Sequence, residues 1–173
     1  MNHEAIINQL ASHAQVLETL VDGMPQEQLR WKQSPEKWSV LEVVGHLYDE
    51  ELEDFRPRVE GPLGAAGFTP IPLGDPEERA AEREYNMQET DKLVRCFKEE
   101  RIKSTRLLRS LDNPNWKSGF EIPSADSMYL TAENVLAAWL GHDNLHFRQI
   151  LTIQWNYLSK DIEPLTLDYV GQI

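Results

Sequence analysis

Apolar residues recur at steps of three and four along most of this chain, the spacing of helices that bury one face. Over residues 4–22 the stripe is Ile6, Leu10, Ala14, Leu17 and Val21, closed by Asp22-Gly23 with Pro25 beyond, which predicts a first helix. Residues 25–38 form a connector rich in Pro, Gln and Lys, ending in Pro35-Glu36-Lys37-Trp38. Ser39-Val40-Leu41-Glu42 is a capping box: the Ser39 hydroxyl accepts from the Glu42 amide and the Glu42 carboxylate accepts in return, so a second helix starts at residue 40. Val40, Leu41, Val43, Val44, Leu47, Tyr48, Leu52 and Phe55 give it a broad apolar face, and Pro57 implies a kink or an end.

From Gly61 to Pro76 the chain holds four glycines and four prolines, an irregular connection long for a helical bundle. Extended, it reaches about 50 Å, more than the roughly 30 Å of a 20-residue helix, so the second and third helices can run parallel. Asp75-Pro76-Glu77-Glu78 begins the next helix, with an N-cap, Pro in the first turn and acids at the positive end of the dipole. The third helix, in two pieces, covers residues 77–111. Its stripe of Leu93, Phe97, Ser104, Leu107, Leu108 and Leu111 is weak around Glu100 to Ser104, which fits either a polar cavity or a shallow face.

Asp112-Asn113-Pro114 ends that helix, and residues 113–130, with Trp116 and Gly119, form a second long connection. Thr131 is the N-cap of a fourth helix over 132–157, where Val135, Trp139, His142, His146, Ile150, Ile153 and Tyr157 share one stripe with Leu136, Leu140, Phe147 and Leu151 beside it. The tail from Ser159, with Pro164 and Leu165-Thr166-Leu167, reads as extended and packed on the surface or on a partner. With no convincing strand, the expected fold is all-α, a four-helix bundle with long crossover connections, as a single domain over residues 1–173.

Composition narrows the function. The chain has 173 residues, 40% hydrophobic and 27% charged, the proportions of a soluble globular domain. No stretch approaches the ~18 uncharged residues that span a bilayer, so no membrane role is expected. A net charge of −12 without a basic patch argues against nucleic acid as a partner. The acidic run Asp49-Glu50-Glu51-Leu52-Glu53-Asp54 reads as a solvated helix face. No secretory pattern opens the sequence, and Cys96, the one cysteine, reads as a small hydrophobe in a reducing, cytoplasmic setting.

The chemistry lies in His142 and His146. At i and i+4 on a helix their side chains share a face, with Cβ atoms about 5–6 Å apart, and one divalent ion can touch both rings. A third ligand is needed, and the residue types allow His46, His13, Glu50 or Asp49. On a helical wheel His46 falls roughly 60° outside the apolar arc of the second helix, solvent-facing unless a second seam takes it. His13 lies on or beside the first stripe as a core or boundary histidine, and His3 near the terminus has no expected role.

The ordered set Trp38-Ser39-Val40-Leu41-Glu42-Val43-Val44-Gly45-His46-Leu47, then Trp116, then His142-Asp143-x-x-His146-x-x-Gln149-Ile150 resembles the DinB-like, or YfiT-like, superfamily over nearly the whole chain. The resemblance implies a four-helix bundle with a crossover, usually a homodimer, in which His46, His142 and His146 hold a divalent metal such as Zn or Ni with open positions for water. It leaves Asp143 either orienting a ligand ring or solvated. Its enzymes include S-transferases that conjugate low-molecular-weight thiols such as bacillithiol, a mycothiol-dependent isomerase, and metal-dependent hydrolases.

The expected function is therefore a metal-dependent enzyme acting on a small molecule, activating a low-molecular-weight thiol or water against an electrophile. No general base is assigned; Glu50 and Glu100 are the nearby acids. The alternatives are a non-catalytic metal- or ligand-binding bundle and a plain helical interaction protein. An open coordination position in a reachable pocket separates the first from the others.

Overall fold

The computed structural model describes residues 1–64, 68–72, 74–122 and 128–171. Its helices are α1 (His3–Val21), α2 (Gln26–Arg30), α3 (Val40–Asp49), α4 (Arg56–Gly64), α5 (Pro76–Glu82), α6 (Thr90–Ser110) and α7 (Ala132–Asp161). A π-helical segment, Glu50–Phe55, fuses α3 to α4, and a 3-10 turn, Tyr85–Met87, sits between α5 and α6. Each predicted cap is present. Ser39 and Glu42 form the reciprocal box on α3, Thr131 and Asn134 a second on α7, and the Asp75 carboxylate accepts from the Glu77 amide.

Contacts between the long helices give their directions. Glu18 meets Lys98 and Asn8 meets Arg109, so α1 and α6 are antiparallel. His3 meets Glu133, His13 meets Asp143 and Leu20 meets Gln154, so α1 and α7 are parallel. His46 faces His142 while Glu51 and Phe55 face Trp139 further back along α7, so the α3–α4 rod opposes α7. The α3–α4 rod and α6 are therefore parallel, the arrangement the long 61–76 connection permits.

Several expectations change. Pro57 neither ends nor interrupts the second helix, which continues to Gly64. It follows directly after the π segment, where the i→i−4 ladder has already changed register, so its missing N–H breaks little. The helix thus takes the first residues of the 61–76 connection; residues 65–67 and 73 of that connection lie outside the described residues, as do 123–127 of the second. The second connection, read as strandless, carries a hairpin in which β1 (Gly119–Ile122) pairs antiparallel with β2 (Met128–Thr131), Gly119 opposite Thr131. Four residues per strand are too few for a period-two pattern to stand out. The connector 25–38 contains α2, and α7 runs to Asp161, past the predicted tail start at Ser159.

Two apolar clusters fill the bundle. One gathers Leu17, Leu41, Val44, Leu47, Phe97, Phe147 and Ile150, the other Leu10, Phe55, Leu108, Val135, Leu136 and Trp139. Helix α3 is the most enclosed element: every residue from Val40 to Leu47 is buried, because α2, α5, the 3-10 turn, α6 and α7 all pack against it. Gly45 makes this possible. A Cβ there would lie 2.2 Å from the Tyr85 ring, so only glycine lets the 3-10 turn close on α3 beside His46.

Candidate metal centre

The capping box fixes the start of α7, and 3.6 residues per turn bring His142 and His146, four apart, to one face, as the spacing predicts. The opposed rod then delivers His46 to the same point. His46 Nε2 lies 3.2 Å from His142 Nε2, and His146 Nε2 lies 3.1 Å from it. One ligand atom from each of the three falls within 4.8 Å of the others. His46 and His146 are 7% and 8% exposed, and His142 is half-buried, so the cluster opens on the His142 side. Of the two placements the wheel left for His46, the second seam holds: α3 is covered all round, and the side outside its apolar arc faces α7.

The protons on these rings follow from their outer partners. The His146 Nδ1–H donates to Gln149 Oε1 at 2.7 Å, which leaves Nε2 with a lone pair. The His46 Nδ1 faces Glu50 Oε1 at 3.8 Å, which favours the same tautomer. Among the described residues, His142 Nδ1 is buried without a partner. A single proton among three facing Nε2 atoms satisfies them poorly, whereas one cation satisfies all three. Two nitrogens each about 2.1 Å from one ion lie about 3.4 Å apart at the tetrahedral angle and about 3.0 Å apart at a right angle. The observed 3.1 and 3.2 Å fall between. The residues present therefore fit a divalent ion.

Their electrostatics agree. Burial, with the His146 and His142 rings adding to it, pulls the His46 imidazole down to about 3, and burial with His146 pulls His142 down to about 4. Burial also lowers His146, against the Gln149 bond. All three rings are neutral at pH 7, the form that ligates. Aromatic rings wall them. Trp38 lies 4.9 Å from His46 and 6.3 Å, nearly parallel, from His146, and Phe55 lies 5.0 Å from His142.

The remaining candidates do not join the cluster. Glu50 stands on the Nδ1 side of His46, held by Arg79 at 2.6 Å, where it can orient the ring but not share its Nε2 target. Asp49 accepts from Arg83 and from the Tyr85 hydroxyl. Glu100 pairs with Arg56 and Lys103 away from the histidines. The acidic run is not a solvated face, since Asp49, Glu50 and Glu51 are buried and four arginines, Arg58, Arg79, Arg83 and Arg101, pair with its five carboxylates.

Asp143 is neither solvated nor bonded to a ligand ring. It is 1% exposed and accepts two hydrogen bonds from Arg101, while His13 Nδ1 lies 2.8 Å from the same carboxylate. Burial alone would raise this carboxyl; the Arg101 charge and the His13 bond override it and hold it low. His13 is accordingly buried and partnered, and His3 stacks on Trp116 at 4.5 Å and pairs with Glu133.

Gln149, Trp38, Arg101 and Glu51 went unassigned in the sequence reading. Gln149 is signalled by its place three residues after His146, within reach on a helix. Arg101 and Glu51 are signalled by falling on apolar stripes, between Phe97 and Ser104 and between Leu47 and Phe55.

A family model described as the DinB superfamily matches residues 9–150. Among solved structures, the chain is similar to YfiT from Bacillus subtilis, described as a probable metal-dependent hydrolase with an unusual four-helix bundle topology, at 22% identity and a TM-score of 0.79, covering 90% of this chain and 87% of that one. No curated protein matches the sequence.

Proposed function

This chain belongs to the DinB superfamily, and from that premise we propose that His46, His142 and His146 hold one divalent ion, Zn or Ni, in an enzyme that activates a low-molecular-weight thiol or water against a small electrophile. The observation that carries the reading is the convergence of three neutral imidazole Nε2 atoms on one point, one of them with its tautomer set by Gln149. The description of YfiT as a probable metal-dependent hydrolase supports it.

A divalent ion there supplies a Lewis acid that makes a coordinated thiol or water acidic near neutral pH. The protein's part is to present the three lone pairs, keep their rings neutral, and limit water. Gln149 fixes His146, the Glu50 carboxylate faces the Nδ1 side of His46, and Trp38 and Phe55 face the rings with carbon. We infer further that residues 1–173 act as one cytoplasmic domain. A second copy of the chain as partner belongs to the same proposal.

The test is metal analysis of tag-free protein, followed by turnover with bacillithiol, glutathione and simple esters, with and without chelator. About one ion per chain, turnover lost on chelation and restored by Zn or Ni, is the expected result. Metal-free protein that takes up no ion overturns the site, and one bound ion with no turnover on any substrate class overturns the enzyme in favour of a metal-binding module.

A further inference from the structure

A second buried polar cluster lies one residue along α7 from His142. Arg101 of α6 is 1% exposed and reaches all three other long helices. Its Nη1 and Nη2 donate to Asp143 Oδ2 and Oδ1 at 2.5 and 3.0 Å, its Nε donates to Glu51 Oε2 at 2.8 Å, and Nη1 also donates to the Leu10 carbonyl at 3.1 Å. His13 of α1 meets Asp143 Oδ2 at 2.8 Å, and the Trp139 Nε1–H donates to Glu51 Oε2 at 3.1 Å. Three of the partners are on elements that carry the site histidines: Glu51 is five residues after His46, Asp143 follows His142, and Trp139 is three residues before His142.

Two fully buried carboxylates around one guanidinium are poor stabilisers, since desolvation offsets most of their attraction. What a planar bidentate pair does supply is a fixed orientation. Orientation is what three converging rings on two helices require. A roll of about 20° moves a side-chain tip about 5–6 Å from a helix axis by about 2 Å, a whole metal–nitrogen bond length.

We propose that Arg101, through its bidentate bond to Asp143 and its bond to Glu51, is the positioning residue of the histidine site, locking the roll of α7 against the α3–α4 rod so that His46, His142 and His146 meet. This rests on the metal reading above. His13 and the Leu10 carbonyl brace the same lock from α1.

The test compares Asp143→Asn and Arg101→Lys, which keep size or charge but lose the bidentate pair, with Leu108→Ala, which opens the buried second core cluster well along α6. Zn affinity by competition titration and the visible spectrum of the Co(II)-loaded protein are read on the folded fraction, with Tm alongside. The expected result is at least ~10-fold weaker Zn binding and an altered Co(II) spectrum in D143N and R101K, with L108A lower in Tm but unchanged in both. Should D143N and R101K fail to fold, His13→Gln, which removes one bond to Asp143, is expected to weaken Zn binding more than L108A does. Folded lock variants with wild-type affinity and spectrum overturn the positioning role alone. A wild-type protein that binds no ion overturns the metal reading itself.

Discussion

If His46, His142 and His146 hold one ion, metal must stabilise the fold by mass action, and a single histidine deletion must abolish that gain. Free ion at about 1,000 times Kd adds about 4 kcal/mol to a protein that binds it only when folded. For 173 residues the unfolding entropy near the midpoint is about 0.36 kcal/mol/K, so the expected rise in Tm is about 11 °C. His146→Ala removes one Nε2 and the bond to Gln149 from a ring at the edge of the core. It should stay folded yet shift by less than about 2 °C under the same ion. The assay is calorimetry on chelator-stripped, tag-free protein, titrated with Zn, Ni and Co. A wild-type shift below about 2 °C with every ion, or an equal shift in H146A, refutes the three-histidine site.

Two further outcomes follow from the same geometry. Gly45→Ala puts a Cβ 2.2 Å from the Tyr85 ring, so overpacking should cost about 1–3 kcal/mol in urea denaturation and weaken metal binding through the adjacent His46; wild-type stability would show that the 3-10 turn yields freely. In metal-free protein the folded His46 lies near 3 against an unfolded value of 6.5, so its contribution is present above pH 6.5 and lost as pH falls toward 3. At pH 5 that amounts to about 2 kcal/mol. His46→Gln should therefore lose less stability than wild type between pH 7.5 and 5 in chemical denaturation, and equal losses would contradict the buried neutral ring.

Much of the helical frame was legible because its signals are local. Capping side chains bond amides two or three residues away, and the 3.6-residue period marks a buried face without knowledge of what covers it. Ser39 with Glu42, Asp75 before Pro76, and Thr131 all cap where their types predict. The histidine pair on α7 is local in the same sense. The hairpin escaped because its strands are four residues each, and the ending expected at Pro57 did not come because the π segment before it depends on packing.

His46 marks the boundary between the two kinds of information. The sequence by itself determined that it lies on a helix, one turn before Glu50, roughly 60° outside the apolar arc. Whether that side faces water or a second helix depends on how the rod is covered, a property of residues distant in the chain: Tyr85, Ala80, Phe147 and Ile150. The charge cluster divides likewise. That Arg101, Glu51 and Asp143 fall on inner faces could be read from periodicity, but that one guanidinium meets both carboxylates and reaches His142's neighbour was decided only when four helices closed together. Side-chain hydrogen bonds act over about 3 Å, so partners some 40 to 90 residues apart acquire meaning only through the tertiary fold that brings them into range.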